Sequence, residues 1–281
     1  MTGSATDGET PRGYGIVERA TAGSWIAQVA EHVRLTGYAV LPGGFSSSEI
    51  AEFSSRLDRV MERQVQEYGA DRLAAIGDTL TARCPLAYDD TFVALATHDG
   101  VLALCRELLG DYIVLMQQNG VINPPMQSHT QLSYHRDLPY QHFVSSRPLA
   151  ISALFCIDPF RPETGATTVI PASHRMEAFP SDPVAAALDT AVAADPGSFI
   201  VFDSMLFHRA GANRSDRPRR AVNQVFSVPI IAQQISLADA LPPEYAADPA
   251  LARLFGFDVA PARSVTAWRD RRLARTRRND G

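Results

Sequence analysis

The stretch Gln131-Leu132-Ser133-Tyr134-His135-Arg136-Asp137 reads as a strand-like run ending on an imidazole and a carboxylate two residues apart. Side chains alternate faces along an extended chain, so His135 and Asp137 point to the same side. Far downstream, Ser198 to Phe207 is a second strand-like run, and it ends on His208. An imidazole brought in from a distant strand completes a three-ligand face on a metal ion and leaves coordination positions open. In a chain with 7 histidines, His-x-Asp alone is a weak signal, and its surroundings decide its weight.

Those surroundings are rich in strands. Tyr112 to Ile122, Gln131 to His135, Leu149 to Ile157, Thr167 to Ile170, Ser198 to Phe202, Met205 to His208 and Ala221 to Val228 are short runs punctuated by Pro, Gly, Asn and Asp. This density predicts an all-β sandwich or barrel rather than a parallel α/β sheet. Helices precede it. Trp25, Ile26, Val29 and Val33 have helical spacing that Gly37 ends, and Tyr38 to Leu41 then reads as a strand. Ser46 with Glu49 forms a capping-box pattern for a helix through Ile50, Phe53, Leu57 and Val60 to about Tyr68. Val101 to Leu109 is a shorter helix closed by Gly110. Residues 69 to 97 follow no clear period, and 183 to 194 read as a helix or an ordered loop. Residues 1–22 read as a flexible lead-in. Residues 23–281 read as one domain: a helical part (about 23–110), a β core (about 111–230) and a C-terminal extension (about 231–281).

Composition narrows the chemistry. The chain has 281 residues, 46% hydrophobic and 20% charged, enough for a substantial core. A net charge of -5 argues against a nucleic-acid binder, and the basic run Arg269 to Arg278 reads as a solvated helix end. No lysine occurs, which excludes Schiff-base and P-loop chemistry and leaves arginine to grip carboxylates. Cys84, Cys105 and Cys156 form no CxxC pair and read as free thiols in a reducing cytoplasm. With no apolar leader and no run of 18 apolar residues, neither secretion nor a membrane span is expected.

Four pieces together resemble a known family. They are Gly37-Tyr38-Ala39-Val40-Leu41-Pro42; His135-Arg136-Asp137; Glu163-Thr164-Gly165 through Ile170-Pro171-Ala172-Ser173-His174; and His208 through Asn213-Arg214-Ser215 to Pro218-Arg219-Arg220. Over about residues 25 to 228 the chain resembles the phytanoyl-CoA dioxygenase family of Fe(II)/2-oxoglutarate-dependent oxygenases. The resemblance implies a double-stranded β-helix (jelly roll, cupin-like) core with flanking helices. It implies His135, Asp137 and His208 as iron ligands and catalytic residues, and Arg219 as partner of the 2-oxoglutarate C5 carboxylate, returned beside the metal by a hairpin. Strand alternation points the neighbouring Arg220 to the other face. Gln117 is a further candidate for the cosubstrate, beside Gln118 and Asn119, and His142 and Phe143 are candidates for the substrate mouth. His174 reads as structural, His129 as a strand-face residue, and His32 and His98 as surface residues on helices. The chain departs from the family pattern at Ala172, where a glycine is usual, at Ala153, where some relatives carry tryptophan, and in having no lysine near the cosubstrate.

The resemblance implies Fe(II), 2-oxoglutarate and O2 as reactants, with ascorbate supportive. A carboxylate at Asp137 rather than a small residue favours hydroxylation over halogenation. The expected substrate is a small organic molecule. The arginine-only, alanine-rich composition suggests a GC-rich bacterial genome and a role in natural-product biosynthesis, with the protein monomeric or homodimeric. Three alternatives stand beside this reading: the same cofactors with an epimerase, desaturase or cyclase outcome; a non-catalytic jelly-roll binding protein; and a zinc hydrolase using the same ligands. Residues 69–97 and 231–262 are expected to form the lid and mouth.

Overall fold

The structure, a computed structural model, describes residues 23–127, 130–138 and 142–279; the lead-in 1–22 and His129 lie outside these residues. Nine strands among the described residues form two antiparallel sheets. They are β1 (Tyr38–Pro42), β2 (Thr81–Arg83), β3 (Val114–Asn123), β4 (Ala150–Cys156), β5 (Thr167–Val169), β6 (Thr190–Ala191), β7 (Ser198–Asp203), β8 (His208–Ala210) and β9 (Arg219–Ser227). The large sheet has the order β1-β7-β4-β9-β3-β2 and the small sheet β6-β5-β8. The all-β core with flanking helices, a jelly roll, is thus the architecture expected.

The two faces of the large sheet have different partners. One carries Leu115, Ile151, Ala153, Phe155, Val201, Val222 and Phe226. These pack against α1 (Trp25–Thr36), α2 (Ser47–Tyr68) and the helix Asp99–Leu109 through Val33, Phe53, Leu57, Leu104 and Cys105. The other face carries Leu154, Cys156, Ile200, Phe202 and Ala221, which meet Ala166 and Val169 of the small-sheet side in a second core. All three cysteines are buried and unbonded, as befits apolar core positions. The capping box forms as read: the Ser46 amide donates to Glu49 Oε2 (2.7 Å) and the Glu49 amide to Ser46 Oγ (3.3 Å).

Gly120 lets α2 lie close to the sheet. A Cβ there would stand 2.2 Å from Leu57 Cδ1, and Leu57 is fully buried. Gly120→Ala is therefore expected to lower the unfolding free energy by about 1–3 kcal/mol through overpacking. Urea unfolding followed by circular dichroism measures this; an unchanged midpoint would mean that the contact relaxes freely.

Several expected elements form differently. Gln131 to His135 is not a strand: Thr130–Leu132 is a 3-10 turn, and His135 makes only an isolated bridge to His208. The chain leaves the sheet at Arg136, whose buried guanidinium donates to the carbonyls of Met205 (2.7 Å) and Ser173 (3.2 Å) and stacks on Phe207. The run Met205 to His208 is likewise interrupted. Asp203 Oδ1 accepts from the Met205 amide (2.9 Å), closing an Asx-type turn, and the strand restarts at His208. The expected hairpin before Arg219 is instead a crossover, because β8 and β9 lie in different sheets. Asn213 organises that crossover by donating to Asn123 O (2.9 Å) and Arg217 O (2.7 Å). His98 is a partly buried N-cap rather than a surface residue. Its Nδ1 accepts from the Val101 amide (3.3 Å), its Nε2 donates to Gly43 O (2.9 Å), and its ring packs on Phe199. Residues 183–194 resolve into a short helix, Asp182–Leu188, followed by β6.

Ala172 adopts φ 62°, the left-handed region that suits the glycine usual in this pattern. It is held there by its amide, which donates to Thr36 O (2.6 Å). His174 beside it is buried with its Nε2 facing Arg34 O (3.4 Å), in keeping with a structural part.

Candidate metal centre

The isolated bridge pairs the two histidines directly. The His135 amide donates to His208 O (2.9 Å) and the His208 amide to His135 O (3.1 Å), placing the ring centroids 4.4 Å apart. The Asp137 amide donates to Ser204 O (3.0 Å) and brings the carboxylate to the same side. One donor atom from each of His135, Asp137 and His208 lies within 4.8 Å of the others.

Each ligand is oriented from behind. His135 Nδ1 faces Ser133 O (2.9 Å) and His208 Nδ1 faces Leu206 O (3.0 Å). A carbonyl only accepts, so each Nδ1 carries the proton and each Nε2 keeps its lone pair for the cavity. Asp137 Oδ2 accepts from Ser152 Oγ (2.5 Å) and Asn223 Nδ2 (2.9 Å), and Oδ1 is left 3.4 Å from His208 Nε2. Burial and the neighbouring His208 both lower the pKa of His135. Burial alone would raise Asp137 and lower His208, but their mutual attraction prevails and shifts Asp137 down and His208 up. Two basic nitrogens and one ionised oxygen, converging with open space beside them, fit a divalent metal of the Fe(II) class.

The cavity beside this cluster has a volume of ≈ 390 Å³. Arg219 lines it from the large sheet, is 4% exposed and lies over the Phe160 ring at 4.2 Å. Its Nε has no hydrogen-bond partner among the described residues, and burial pushes its pKa down to about 10, so it stays cationic at neutral pH. A buried, unsatisfied guanidinium calls for an anion, and the fork geometry suits a carboxylate. Arg220 points the other way and is already engaged by Asp58 (2.8 and 2.9 Å) and Asp158 (3.4 Å).

Gln117 also lines the cavity. A register irregularity at Leu115/Gln117 turns Leu115 toward the helices and Gln117 toward the cavity, with Asn119. Gln118 faces the other side, where it donates to Gln224 Oε1 and Phe92 O. His142 and Phe143 are exposed and do not line the cavity; His142 borders an outer groove with Tyr134 and Phe179. The far wall comes from segments expected to form the mouth: Ile76, Asp78 and Arg83, with Gln234. Arg83 is paired with Asp78 (2.9 and 2.5 Å).

Sequence reasoning missed Ser152 and Asn223. Asn223 carries a usable signal: it lies four residues after Arg219 on β9, hence on the same face. Ser152 carries none beyond lying on a buried strand.

Burial pushes the Asp203 pKa up to about 6 against the pull of the Met205 amide and of Arg136 and Arg175. The folded state therefore holds this proton more tightly than the unfolded chain. The stability it contributes is full below about pH 4 and is lost as pH rises through about 6, at roughly 1.4 kcal/mol per unit. Asp203→Asn keeps the acceptor for Met205 and removes the titration. It is expected to be more stable than wild type at pH 8 and to lose that advantage at pH 4, by thermal unfolding; a pH-independent difference would count against this assignment.

A sequence model of the phytanoyl-CoA dioxygenase (PhyH) family matches residues 33–221. An uncharacterized protein of Mycobacterium tuberculosis is 33% identical over 219 residues, covering 76% of this chain and 80% of that relative. Among solved structures, EctD from S. alaskensis with bound Fe superposes with a TM-score of 0.60 at 23% identity, covering 72% of this chain and 76% of that one. The epimerase SnoN in complex with Fe3+, alpha ketoglutarate and nogalamycin RO gives 0.57 at 22% identity, covering 77% and 90%. At these identities the two superpositions establish a shared fold. No helix among the described residues is long and apolar enough to cross a membrane.

Proposed function

The chain belongs to the phytanoyl-CoA dioxygenase family of Fe(II)- and 2-oxoglutarate-dependent oxygenases, and on that premise we propose that it hydroxylates a C–H bond of a small organic molecule in bacterial natural-product biosynthesis. His135 Nε2, Asp137 Oδ1 and His208 Nε2 are the assigned metal ligands. Arg219 is assigned to the distal carboxylate of 2-oxoglutarate and Gln117 to a supporting hydrogen bond. The observation that carries the reading is Arg219: a buried cation without a partner for its Nε shares one cavity with three converging donor atoms.

When bound, Fe(II) and 2-oxoglutarate supply oxidation of a C–H bond by O2, coupled to formation of succinate and CO2. The chain's own residues do the rest. Ser133 and Leu206 carbonyls fix both imidazoles in the tautomer that offers Nε2. Ser152 and Asn223 hold Asp137 ionised and present one oxygen to the metal. Arg219, placed over Phe160, orients the cosubstrate along the cavity. Asp78, Arg83, Asn119 and Gln234 form the wall assigned to the substrate, which takes the place of His142 and Phe143 in this reading. The same reading treats residues 23–281 as one catalytic unit, to which the extension 231–281 contributes Gln234.

Incubation with Fe(II), ascorbate, 2-oxoglutarate and O2 is expected to yield succinate, increased by a true substrate. Gain of one oxygen atom from labelled O2 in the product identifies hydroxylation; an unlabelled product with succinate identifies an epimerase, desaturase or cyclase outcome. A metal-loaded protein that never consumes 2-oxoglutarate across a broad panel would return the chain to the binding-protein class.

A further inference from the structure

We infer that Asp189 is a positioning residue that locks the two histidine ligands in register from outside the cavity, an inference that rests on reading His135, Asp137 and His208 as metal ligands. The need for such a lock follows from the backbone. His135 belongs to no strand, and its pairing with the strand that carries His208 is one isolated bridge.

Antiparallel pairing of His135 with His208 sets Tyr134 opposite Arg209. Side chains alternate, so while the imidazoles face the cavity, Tyr134 and Arg209 meet Asp189 in the outer groove, and Arg209 also borders the cavity. The Arg209 guanidinium lies 5.0 Å from the centre of the Tyr134 ring. Asp189 reaches this pair from the junction of the helix Asp182–Leu188 with β6. Its Oδ2 accepts from Tyr134 Oη (2.7 Å) and from Arg209 Nη2 (2.6 Å). One carboxylate oxygen thus binds the immediate neighbours of both histidines.

The register explains the reach. Thr168 of β5 pairs with Arg209 on one side and Ala191 on the other, so Asp189 and Arg209 lie on the same face of the small sheet. Phe179 closes the assembly, with its ring 5.0 Å from both Tyr134 and Phe207. The ion pair is mostly shielded, with side-chain exposures of 29% and 23% for Arg209 and Asp189. An ordinary surface pair stabilises little. This one instead restrains the relative slide of two segments that each carry a histidine of the metal cluster.

The experiment measures Co(II) affinity, the visible Co(II) spectrum and metal-free thermal unfolding for the full chain and for Asp189→Asn, Tyr134→Phe and Arg209→Lys. Tyr134→Phe keeps the ring and the packing, so it tests the clamp even if Asp189→Asn folds poorly. The expected result is a Co(II) Kd raised about tenfold or more in Asp189→Asn and Tyr134→Phe, with shifted ligand-field bands. Metal-free unfolding is expected to stay close to wild type, and Arg209→Lys, which keeps the charge, to lose less affinity than Asp189→Asn. Wild-type binding with all variants within twofold overturns the clamp alone, as does an affinity loss matched by an equal loss of metal-free stability. No Co(II) binding by the wild type overturns the metal reading and the clamp with it.

Discussion

Asp137→Ala is expected to abolish both metal binding and 2-oxoglutarate turnover. Asp137 is the one anionic member of the cluster and is held in place by Ser152 and Asn223. Removing it leaves two neutral imidazoles and no anionic ligand, a set that holds a divalent ion far more weakly. Loss of an outer hydrogen-bond partner alone lowers metal affinity about 10–100-fold, so loss of a ligand belongs beyond that range. The variant also leaves the Asn223 amide without its acceptor, at a cost of about 1–3 kcal/mol, whereas the Ser152 hydroxyl can turn to Ser204 Oγ (2.8 Å). Co(II) titration and a succinate assay, run beside a thermal melt, separate the two effects. Wild-type affinity in the folded variant would remove Asp137 from the ligand set.

Arg219→Met is expected to raise the 2-oxoglutarate KM by at least about 30-fold, since truncating one partner of a buried charge pair costs about 2–5 kcal/mol. The same substitution is expected to stabilise the cosubstrate-free protein. It replaces an unsatisfied buried cation with an apolar side chain of similar length over Phe160. These opposite signs are the diagnostic. A merely structural arginine would lose stability and leave KM alone. Arg220→Ala is the control: it breaks the pairs with Asp58 and Asp158 and is expected to lower the melting temperature with little change in KM. An unchanged KM in Arg219→Met would sink the assignment.

Much of this site was legible because it depends on parity and residue type. His135 and Asp137 are two apart, and alternation separates Arg219 from Arg220, while the family resemblance says which of the two faces the metal. The same rule would have found Asn223. Other parts were hidden for a physical reason. The turn at Asp203 to Leu206 looks apolar enough for a strand, and only the Asp203 carboxylate capping Met205 reveals it. His98 reads as a surface helix residue because its partner, Gly43, is distant in sequence. Asp189 was unreadable for the same cause, since its two partners come from segments brought together only by the sheet. Local rules therefore recovered most of the strands, but not the two interrupted runs that lead into His135 and His208, and the contacts that set register and orientation come from long-range pairing.

The crossover between β8 and β9 has a consequence for how the protein responds to its cosubstrate. His208 is carried by the small sheet and Arg219 by the large one. On the roles proposed for these residues, a dicarboxylate held at one end by the metal and at the other by Arg219 would be a reversible cross-link between the two halves of the sandwich. Occupancy should register as resistance of the whole β core to melting, rising with the logarithm of ligand concentration above Kd. The protein would serve as its own gauge: a library of dicarboxylates can be ranked by melting temperature alone, before a single substrate is known.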